Sequence, residues 1–169
     1  YRAPTPEGLK PKDLIGVPWR IAFALQDDGW YLRTDIIWNK PNCQPESVKD
    51  RPTRSHEYVF LFSKNEKYFY DHEAIKEPAL DVKQRSKNRR TVWSINTEPY
   101  PGSHFAVFPK QLARLCVLAG SMKGDRVLDP FFGSGTTGVV CNDLDRQCTG
   151  VELNEDYAEL ARSRLLRGT

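Results

Sequence analysis

The sequence predicts an α/β fold with a doubly wound, mostly parallel sheet. Three observations support this prediction. An apolar run at 127–128 is followed by a glycine-rich turn, a helical segment over 139–143 and a short strand over 148–151. Strand-like and helix-like segments also alternate along most of the chain, which is typical of folds with a parallel sheet. Finally, the segment EYVFLFS, residues 57–63, has too many apolar residues for a half-exposed strand.

The composition indicates one globular domain. The chain has 169 residues, of which 39% are hydrophobic and 28% charged, enough to bury a core. No run reaches the roughly 18 apolar residues of a membrane span, and no signal peptide is recognisable. Its four cysteines form no Cys-x-x-Cys, so neither a metal site nor a disulfide framework is predicted. A cytoplasmic protein is expected. The net charge of +3 requires any nucleic-acid surface to be local.

Periodicity predicts the remaining elements. Residues 13–26 show helical spacing, and Pro18 suits the first turn of that helix. Strands are predicted over 30–39 and 91–95. A second helix is predicted over 109–120. The residues expected on its buried face are Leu112, Leu115, Cys116 and Ala119.

The glycine-rich turn and the acid after the next strand form a candidate nucleotide site. Gly133 and Gly135 allow backbone torsions that other residues avoid, and the following helix start presents free N–H groups to an anion. Glu152 lies 17 residues after Gly135, close to the roughly 20 expected of an acid that binds ribose hydroxyls. GxxxxGK[ST] does not occur, so a P-loop is disfavoured. GSGTTG at residues 133–138 has the spacing GxGxxG, which alone is weak evidence for a dinucleotide site.

A second polar constellation lies in the loop 40–54, KPNCQPESVKDRPTR. This loop begins at the carboxyl end of a predicted strand, where α/β sheets bind ligands. Its side chains suit a nucleic-acid backbone. Glu46 and Lys49 are interpreted as solvated. Glu57 heads an apolar strand, where an unpaired acid would be costly, and Arg51 or His56 is its expected partner. The candidate contacts in and beside this loop are Lys40, Asn42, Arg51, Thr53 and His56.

Five segments taken together resemble the β class of DNA amino-methyltransferases. In chain order they are LIGVPWRIAFALQDDGWYLRTDIIWNKPN, ESVKDRPTRSHEYVFLFSKNEKYFYD, HFAVFP, LDPFFGSGTTG and GVELNEDY, and the resemblance covers roughly residues 9–167. The resemblance implies a Rossmann-like methyltransferase fold in circularly permuted order, with the catalytic half first. It also implies S-adenosylmethionine as cofactor, double-stranded DNA as partner, a cognate restriction endonuclease as functional partner, and methylation of cytosine N4 or adenine N6. Oligomerisation is left open.

The resemblance also implies which residues bind the cofactor. The loop residues matching the family motif around the methionine moiety are Asp129, Pro130, Phe131, Gly133, Ser134, Gly135 and Thr136. Glu152, followed by Leu153, matches the acid that holds the ribose hydroxyls. The segment expected to close over the cofactor contributes His104, Phe105, Phe108 and Pro109. For the two phenylalanines of that segment, core packing is an equally weighted alternative.

A basic segment, KQRSKNRR at 83–90, carries five cations in eight residues. It lies within a short insert over 72–103 that is a candidate target-recognition region. With little around it that could pack, we expect it to be mobile without DNA and to contact phosphates with it, a solvated linker being the alternative. The candidate phosphate contacts are Lys83, Arg85, Lys87 and Arg89.

One part of the family pattern is missing. The catalytic motif, Asp or Ser followed by Pro-Pro-Tyr, does not occur, and the chain contains no Pro-Pro dipeptide. In the permuted order the motif is expected upstream of Tyr1, so no catalytic residue is assigned within the chain. The predicted main strands, at 30–39, 57–63, 126–129 and 148–151, are also fewer than the usual five or six.

We therefore expect residues 1–169 to form one methyltransferase domain that lacks its N-terminal part. The first two main strands and the last two should then belong to separate pieces of sheet. Two alternatives stay open at this stage: an inactive DNA- or cofactor-binding module, and an RNA methyltransferase. The target base also stays open, although relatives sharing GVPWR and DRPTRSHEY often carry Ser-Pro-Pro-Tyr, which favours cytosine N4.

Overall fold

The computed structural model describes residues 5–79, 85–98 and 108–167. Four helices are present in these ranges: α1 Val17–Asp27, α2 Lys110–Gly120, α3 Thr136–Asp143 and α4 Glu155–Arg167. The strands are β1 Tyr31–Asn39, β2 His56–Ser63, β3 Glu77–Pro78, β4 Ser86–Lys87, β5 Val92–Ser94, β6 Arg126–Asp129 and β7 Gln147–Gly150. Among the described residues, no helix is both long and apolar enough to cross a membrane.

The chain divides into two compact units. The first contains Tyr1–Ile36 and Tyr58–Tyr68, and it is built around aromatic side chains. Within it, α1 has a proline in its first turn, as predicted. The ring of Trp19 on this helix packs edge-on against Phe60, with 4.9 Å between ring centroids. This contact anchors the helix to β2.

The second unit contains Ile37–Glu57 and Phe69–Thr169, and with them the candidate site residues that the structure describes. The part of β1 that belongs to this unit runs parallel to β5, with Asn39 opposite Ser94. The strand order of the sheet is β2-β1-β5. The indole of Trp38 is 4% exposed and donates to the carbonyl of Ile95 at 2.8 Å. This hydrogen bond ties the segment after β5 to the carboxyl end of β1.

The last two main strands, β6 and β7, form a separate parallel pair in which Asp129 lies opposite Gly150. In the described parts of the chain, no hydrogen-bonded strand joins this pair to the sheet β2-β1-β5. The expectation of two pieces of sheet is thus confirmed. The strand predicted over 91–95 is confirmed as β5, and the short strands β3 and β4 pair antiparallel with each other.

Helix α3 packs against α2, β7 and α4. The core here includes Ala113 and Val117 of α2 and Val140 and Cys141 of α3. Cys116 is exposed, which corrects its prediction as a residue of the buried face. Leu112, Leu115 and Ala119 are buried as predicted, and the buried face also includes Ala113 and Val117. Ala113 and Val117 are apolar as well. Apolar residues of α2 lie at helical spacing on overlapping faces, so the spacing alone does not identify the buried residues.

Helix α4 was not predicted, because its polar composition gives only a narrow apolar face. Its start carries a recognisable signal, however. The side-chain oxygen of Asn154 accepts the backbone N–H of Asp156 at 2.9 Å, and two acids occupy the first turn. Such a capping residue followed by acids is typical of a helix N-terminus.

Candidate cofactor site and nucleic-acid interface

The glycine-rich loop joins β6 to α3 and is fixed by backbone bonds to the segment after β7. The N–H of Phe132 donates to Val151 O, and the N–H of Val151 donates to Asp129 O, both at 2.9 Å. Gly133 and Gly135 have φ values of 52° and 80°, a region in which only glycine is free of strain. These φ values explain why the turn needs glycine at both positions, as the sequence predicts.

The ring of Phe132 lies against Gly138 of α3 and Gly150 of β7, so that the loop fits closely onto both elements. A Cβ on Gly150 would lie 2.5 Å from Cδ1 and Cδ2 of the ring, and one on Gly138 would lie 2.7 Å from its Cζ. Side-chain atoms cannot approach so closely. Phe132 was not among the predicted site residues, although the sequence does place glycines at both positions.

Asp129 orders the entrance of the loop. Its Oδ1 accepts the N–H of Phe131 at 3.0 Å, and its Oδ2 accepts the hydroxyl of Thr137 at 2.6 Å. Both carboxylate oxygens thus bind groups of the protein itself. Asp129 therefore orders the turn, and its predicted contact with the cofactor stays a prediction.

Glu152 accepts two backbone hydrogen bonds at the end of the β7 segment. Its Oε2 accepts the N–H of Gly133 at 2.7 Å, and its Oε1 accepts the N–H of Asn154 at 2.9 Å. These bonds, that of Asn154 first, lower the pKa of the Glu152 carboxyl and favour its ionised form. A carboxylate offers about four acceptor positions, so about two stay open for a diol.

The start of α3 offers a second polar group. The hydroxyl of Thr136 is buried, and Thr136 is only 3% exposed. Among the described residues, this hydroxyl has no hydrogen-bond partner. It stands beside the free N–H groups of a helix N-terminus, which attract anions. Together with Glu152, it fits a ligand that combines a diol with a carboxylate, as S-adenosylmethionine does.

The other predicted cofactor residues differ in position. Phe131 and Leu153 are 88% and 99% exposed, while Phe108 is more than a third exposed. Pro130 is exposed and Ser134 is buried. Pro109 is fully enclosed by protein and precedes α2. We therefore assign Pro109 to the start of that helix rather than to the cofactor. His104 and Phe105 lie outside the described residues.

In the candidate DNA-contact loop, Glu57 pairs with Lys40. The ammonium group of Lys40 forms an ion pair with Glu57 and lies 4.4 Å from the ring centroid of Trp38. Of the two expected partners of Glu57, Arg51 is therefore wrong, while a contact with His56 stays a prediction. Lys40 lies next to Trp38 at the end of β1, which brings it within reach of the first residues of β2.

Arg51 instead forms a bidentate pair with Glu46, at 2.8 Å and 3.2 Å. The same carboxylate accepts the N–H of Arg54 at 2.9 Å. These contacts, led by the hydrogen bond from Arg51, lower the pKa of Glu46 to about 2. The interpretation of Glu46 as merely solvated is thus wrong, because it organises the loop. Thr53 is exposed.

Asn42 joins two loops at the carboxyl edge of the sheet. Its Nδ2 donates to Thr97 O at 3.1 Å, and its Oδ1 accepts the N–H of Thr97 at 2.8 Å. One side chain therefore satisfies both backbone groups of a residue after β5. This amide, predicted to contact DNA, is engaged within the protein. The contact of His56 with DNA stays a prediction.

The basic segment has more partners than its composition suggested. Arg90 donates to Glu77 at 2.6 Å, and the ammonium of Lys87 lies 3.6 Å from the same oxygen. Arg89 donates to the carbonyl of Ile75 at 2.7 Å. We expected little around the basic segment that could pack against it. This expectation is wrong for Lys87, Arg89 and Arg90. Arg85 is exposed, and Lys83 lies outside the described part of the chain.

The sequence matches the family described as DNA methylase, N6_N4_Mtase, over residues 5–163. The chain belongs to this family of DNA methylases. It is 80% identical over 167 residues to "Type II methyltransferase M.SmaI" of Serratia marcescens, covering 99% of this chain and 57% of that protein. It is 64% identical over 164 residues to "Type II methyltransferase M.Cfr9I" of Citrobacter freundii, covering 97% and 54%. The chain thus spans little more than half the length of these relatives.

Similar solved structures confirm the predicted Rossmann-like methyltransferase fold. The M1.HpyAVI–SAM complex matches with a TM-score of 0.69 and 26% identity, covering 90% of this chain and 70% of that one. TTHA0409 of Thermus thermophilus, a putative DNA modification methylase complexed with S-adenosyl-L-methionine, matches at 0.67 and 30%, covering 90% and 60%. The cytosine-N4-specific PvuII DNA methyltransferase matches at 0.72 and 22%, covering 92% and 67%, and supports the fold alone.

Proposed function

We propose that the protein containing this chain transfers a methyl group from S-adenosylmethionine to an exocyclic amino group, cytosine N4 or adenine N6, in double-stranded DNA. The observation that carries this proposal is the glycine loop with Glu152 at its side, in a chain of the DNA methylase family. Relatives named as Type II methyltransferases support DNA as substrate, and with them a cognate endonuclease as functional partner. Two solved structures similar to this chain were determined with the cofactor.

We assign the parts of the cofactor to groups of this chain. The remaining acceptor positions of Glu152 bind the ribose hydroxyls. The hydroxyl of Thr136 and the N–H groups at the start of α3 bind the carboxylate of the methionine moiety. Phe131 and Leu153, which expose large apolar side chains, lie beside the ligand. When bound, the cofactor supplies a methyl group activated by a positively charged sulfur.

The target amino group lies inside the duplex, so its base must leave the stack to react. The lone pair of this amino group is delocalised into the ring, and hydrogen-bond acceptors must restore its nucleophilicity. We assign these acceptors to the Pro-Pro-Tyr motif, in a part of the protein upstream of Tyr1. The relatives named as Type II methyltransferases, nearly twice as long as this chain, have room for such a segment.

We propose that the segment 85–90 contacts DNA phosphates through its exposed cations. Two cations, Lys87 and Arg90, share the single acid Glu77, which leaves excess positive charge. Replacing Arg85 by alanine should then reduce the slope of log K against log salt for DNA binding by about 0.9. Replacing the exposed Lys49 serves as the control, and should leave the slope unchanged. Equal slopes in all three proteins would remove Arg85 from the interface.

Methyl transfer by the full-length protein tests the function. Duplex DNA and RNA are incubated with S-adenosylmethionine carrying a tritiated methyl group, and the labelled nucleosides are then separated. Label in N4-methylcytosine or N6-methyladenine from DNA is the expected result and identifies the target base. Cofactor binding without transfer to any nucleic acid would favour an inactive binding module. Preferential labelling of RNA would favour the RNA methyltransferase alternative.

A further inference from the structure

We infer that Arg164, on α4, is a positioning residue that sets the conformation of the cofactor loop. Its Nη1 lies 2.7 Å from Ser134 O and 2.8 Å from Ser134 Oγ. Ser134 stands between the two glycines of positive φ and is 7% exposed. The inference rests on the proposed function, because only a ligand at this loop gives Arg164 a role beyond stability.

Helix α4 fits the back of the loop closely. A Cβ on Gly135 would lie 3.0 Å from the Cβ of Ala161, and one on Gly138 would lie 2.9 Å from Cδ2 of Leu165. Residues 161, 164 and 165 share one helix face, because positions three and four apart are neighbours on a helix. The packed residues on both sides therefore hold the arginine at a fixed distance from the loop.

The peptide between Ser134 and Gly135 is fixed at both ends. Its carbonyl accepts from Arg164 at 2.7 Å, and its N–H donates to Phe132 O at 2.9 Å. Because a peptide group is planar, these two bonds together determine its orientation. Helix α3 starts at the next residue, so this orientation also determines where its first N–H groups point.

Arg164 has a counterpart of opposite charge in Glu152, which binds the neighbouring residue of the loop. The carboxylate of Glu152 accepts the N–H of Gly133 at 2.7 Å, while the guanidinium holds the carbonyl and hydroxyl of Ser134. Hydrogen bonds to charged groups are stronger than neutral ones. The loop is thus held in one conformation before a ligand arrives, which reduces the ordering cost of binding.

Four single variants and one double variant of the full-length protein test the inference. Arg164→Met keeps the apolar stem and removes both hydrogen bonds, and it should raise the Kd for S-adenosylmethionine about tenfold or more. Arg164→Lys keeps a charged donor and should give an intermediate Kd. Ser134→Ala should weaken binding in the wild-type background but have little further effect beside Arg164→Met, because the two residues act as a pair. Arg162→Met, at an exposed position of the same helix, is the matched control.

Calorimetry gives the Kd for S-adenosylmethionine, and a separate titration gives the Kd for DNA. The expected result is weaker cofactor binding in the Arg164 variants, with unchanged DNA affinity and no change of either Kd in Arg162→Met. A lower melting temperature with an unchanged Kd for the cofactor would overturn the inference and leave Arg164 a structural role. If Arg164→Met fails to fold, Arg164→Lys and Ser134→Ala decide by the same comparison. A wild-type protein that does not bind the cofactor would overturn the proposed function, and with it this inference.

Discussion

Replacing Glu152 should separate the two tasks of its carboxylate. The side chain accepts the N–H groups of Gly133 and Asn154 within the protein, and we propose that it also accepts the ribose hydroxyls of S-adenosylmethionine. Glu152→Ala removes both sets of hydrogen bonds. Glu152→Gln keeps one oxygen but turns an amide donor towards a position that needs an acceptor.

The expected magnitude follows from the number of bonds lost. A hydrogen bond to a charged acceptor changes affinity by about tenfold or more. Two open acceptor positions therefore predict a loss of about a hundredfold for Glu152→Ala, to which any loosening of the glycine loop adds. Glu152→Gln should lose about tenfold, because one oxygen still accepts.

Calorimetric titration of the full-length variants with S-adenosylmethionine measures these losses. Glu155→Gln, an exposed acid at the start of α4, is the control and should bind as the wild type does. The backbone hydrogen bonds lower the pKa of Glu152, so cofactor affinity in the wild type should persist below the ordinary carboxyl pKa. Affinity should then fall as the pH drops through the lowered value, a fall that Glu152→Gln lacks. Unchanged affinity in Glu152→Ala would remove this residue from the site.

Two further predictions concern the packing of the loops and their charges. Gly150→Ala should destabilise the protein by about 1–3 kcal/mol in chemical denaturation, because its Cβ would overlap the ring of Phe132. The control Gly120→Ala, which has open space around the new Cβ, should destabilise the protein far less. Equal effects of the two substitutions would contradict the packing argument. Arg51 lowers the pKa of Glu46 to about 2 from 4.5, so this pair stabilises the fold above pH 4.5 and loses its contribution as the pH falls through 2. Glu46→Gln should therefore show a shallower loss of stability between these pH values, and identical pH profiles would refute the assigned pKa.

The elements around the glycine loop could be predicted because local signals mark them. Three local signals mark this region: an apolar strand, a run of glycines and an acid after the second strand. They predict β6, the turn and β7, and the bounds of both strands agree with the structure within one residue. The start of α3 was placed three residues late, at 139 instead of 136. Its first turn contains threonines and a glycine, which lack an apolar period, and the positive φ of Gly135 is what marks the boundary.

The charged partners could not be predicted, because they depend on tertiary contacts. Lys40 and Glu57 are 17 residues apart, and Arg164 and Ser134 are 30 apart. Composition showed that these residues are present, but only the packing of strands and helices decides which acid meets which base. The same limit explains why Glu46 was interpreted as solvated.

These ion pairs indicate which of the two candidate DNA surfaces has more uncompensated positive charge. In the loop 40–54, Arg51 forms an ion pair with Glu46, and Lys40 forms one with Glu57. Each pair therefore presents little net charge to a phosphate. In the segment 85–90, two cations share Glu77, and Arg85 is exposed. Attraction over distances beyond contact depends on this summed charge rather than on the number of arginines and lysines. The segment 85–90 should therefore contribute more to the salt dependence of DNA binding, while the loop 40–54, held by its internal pairs, is suited to contacts that require a fixed geometry.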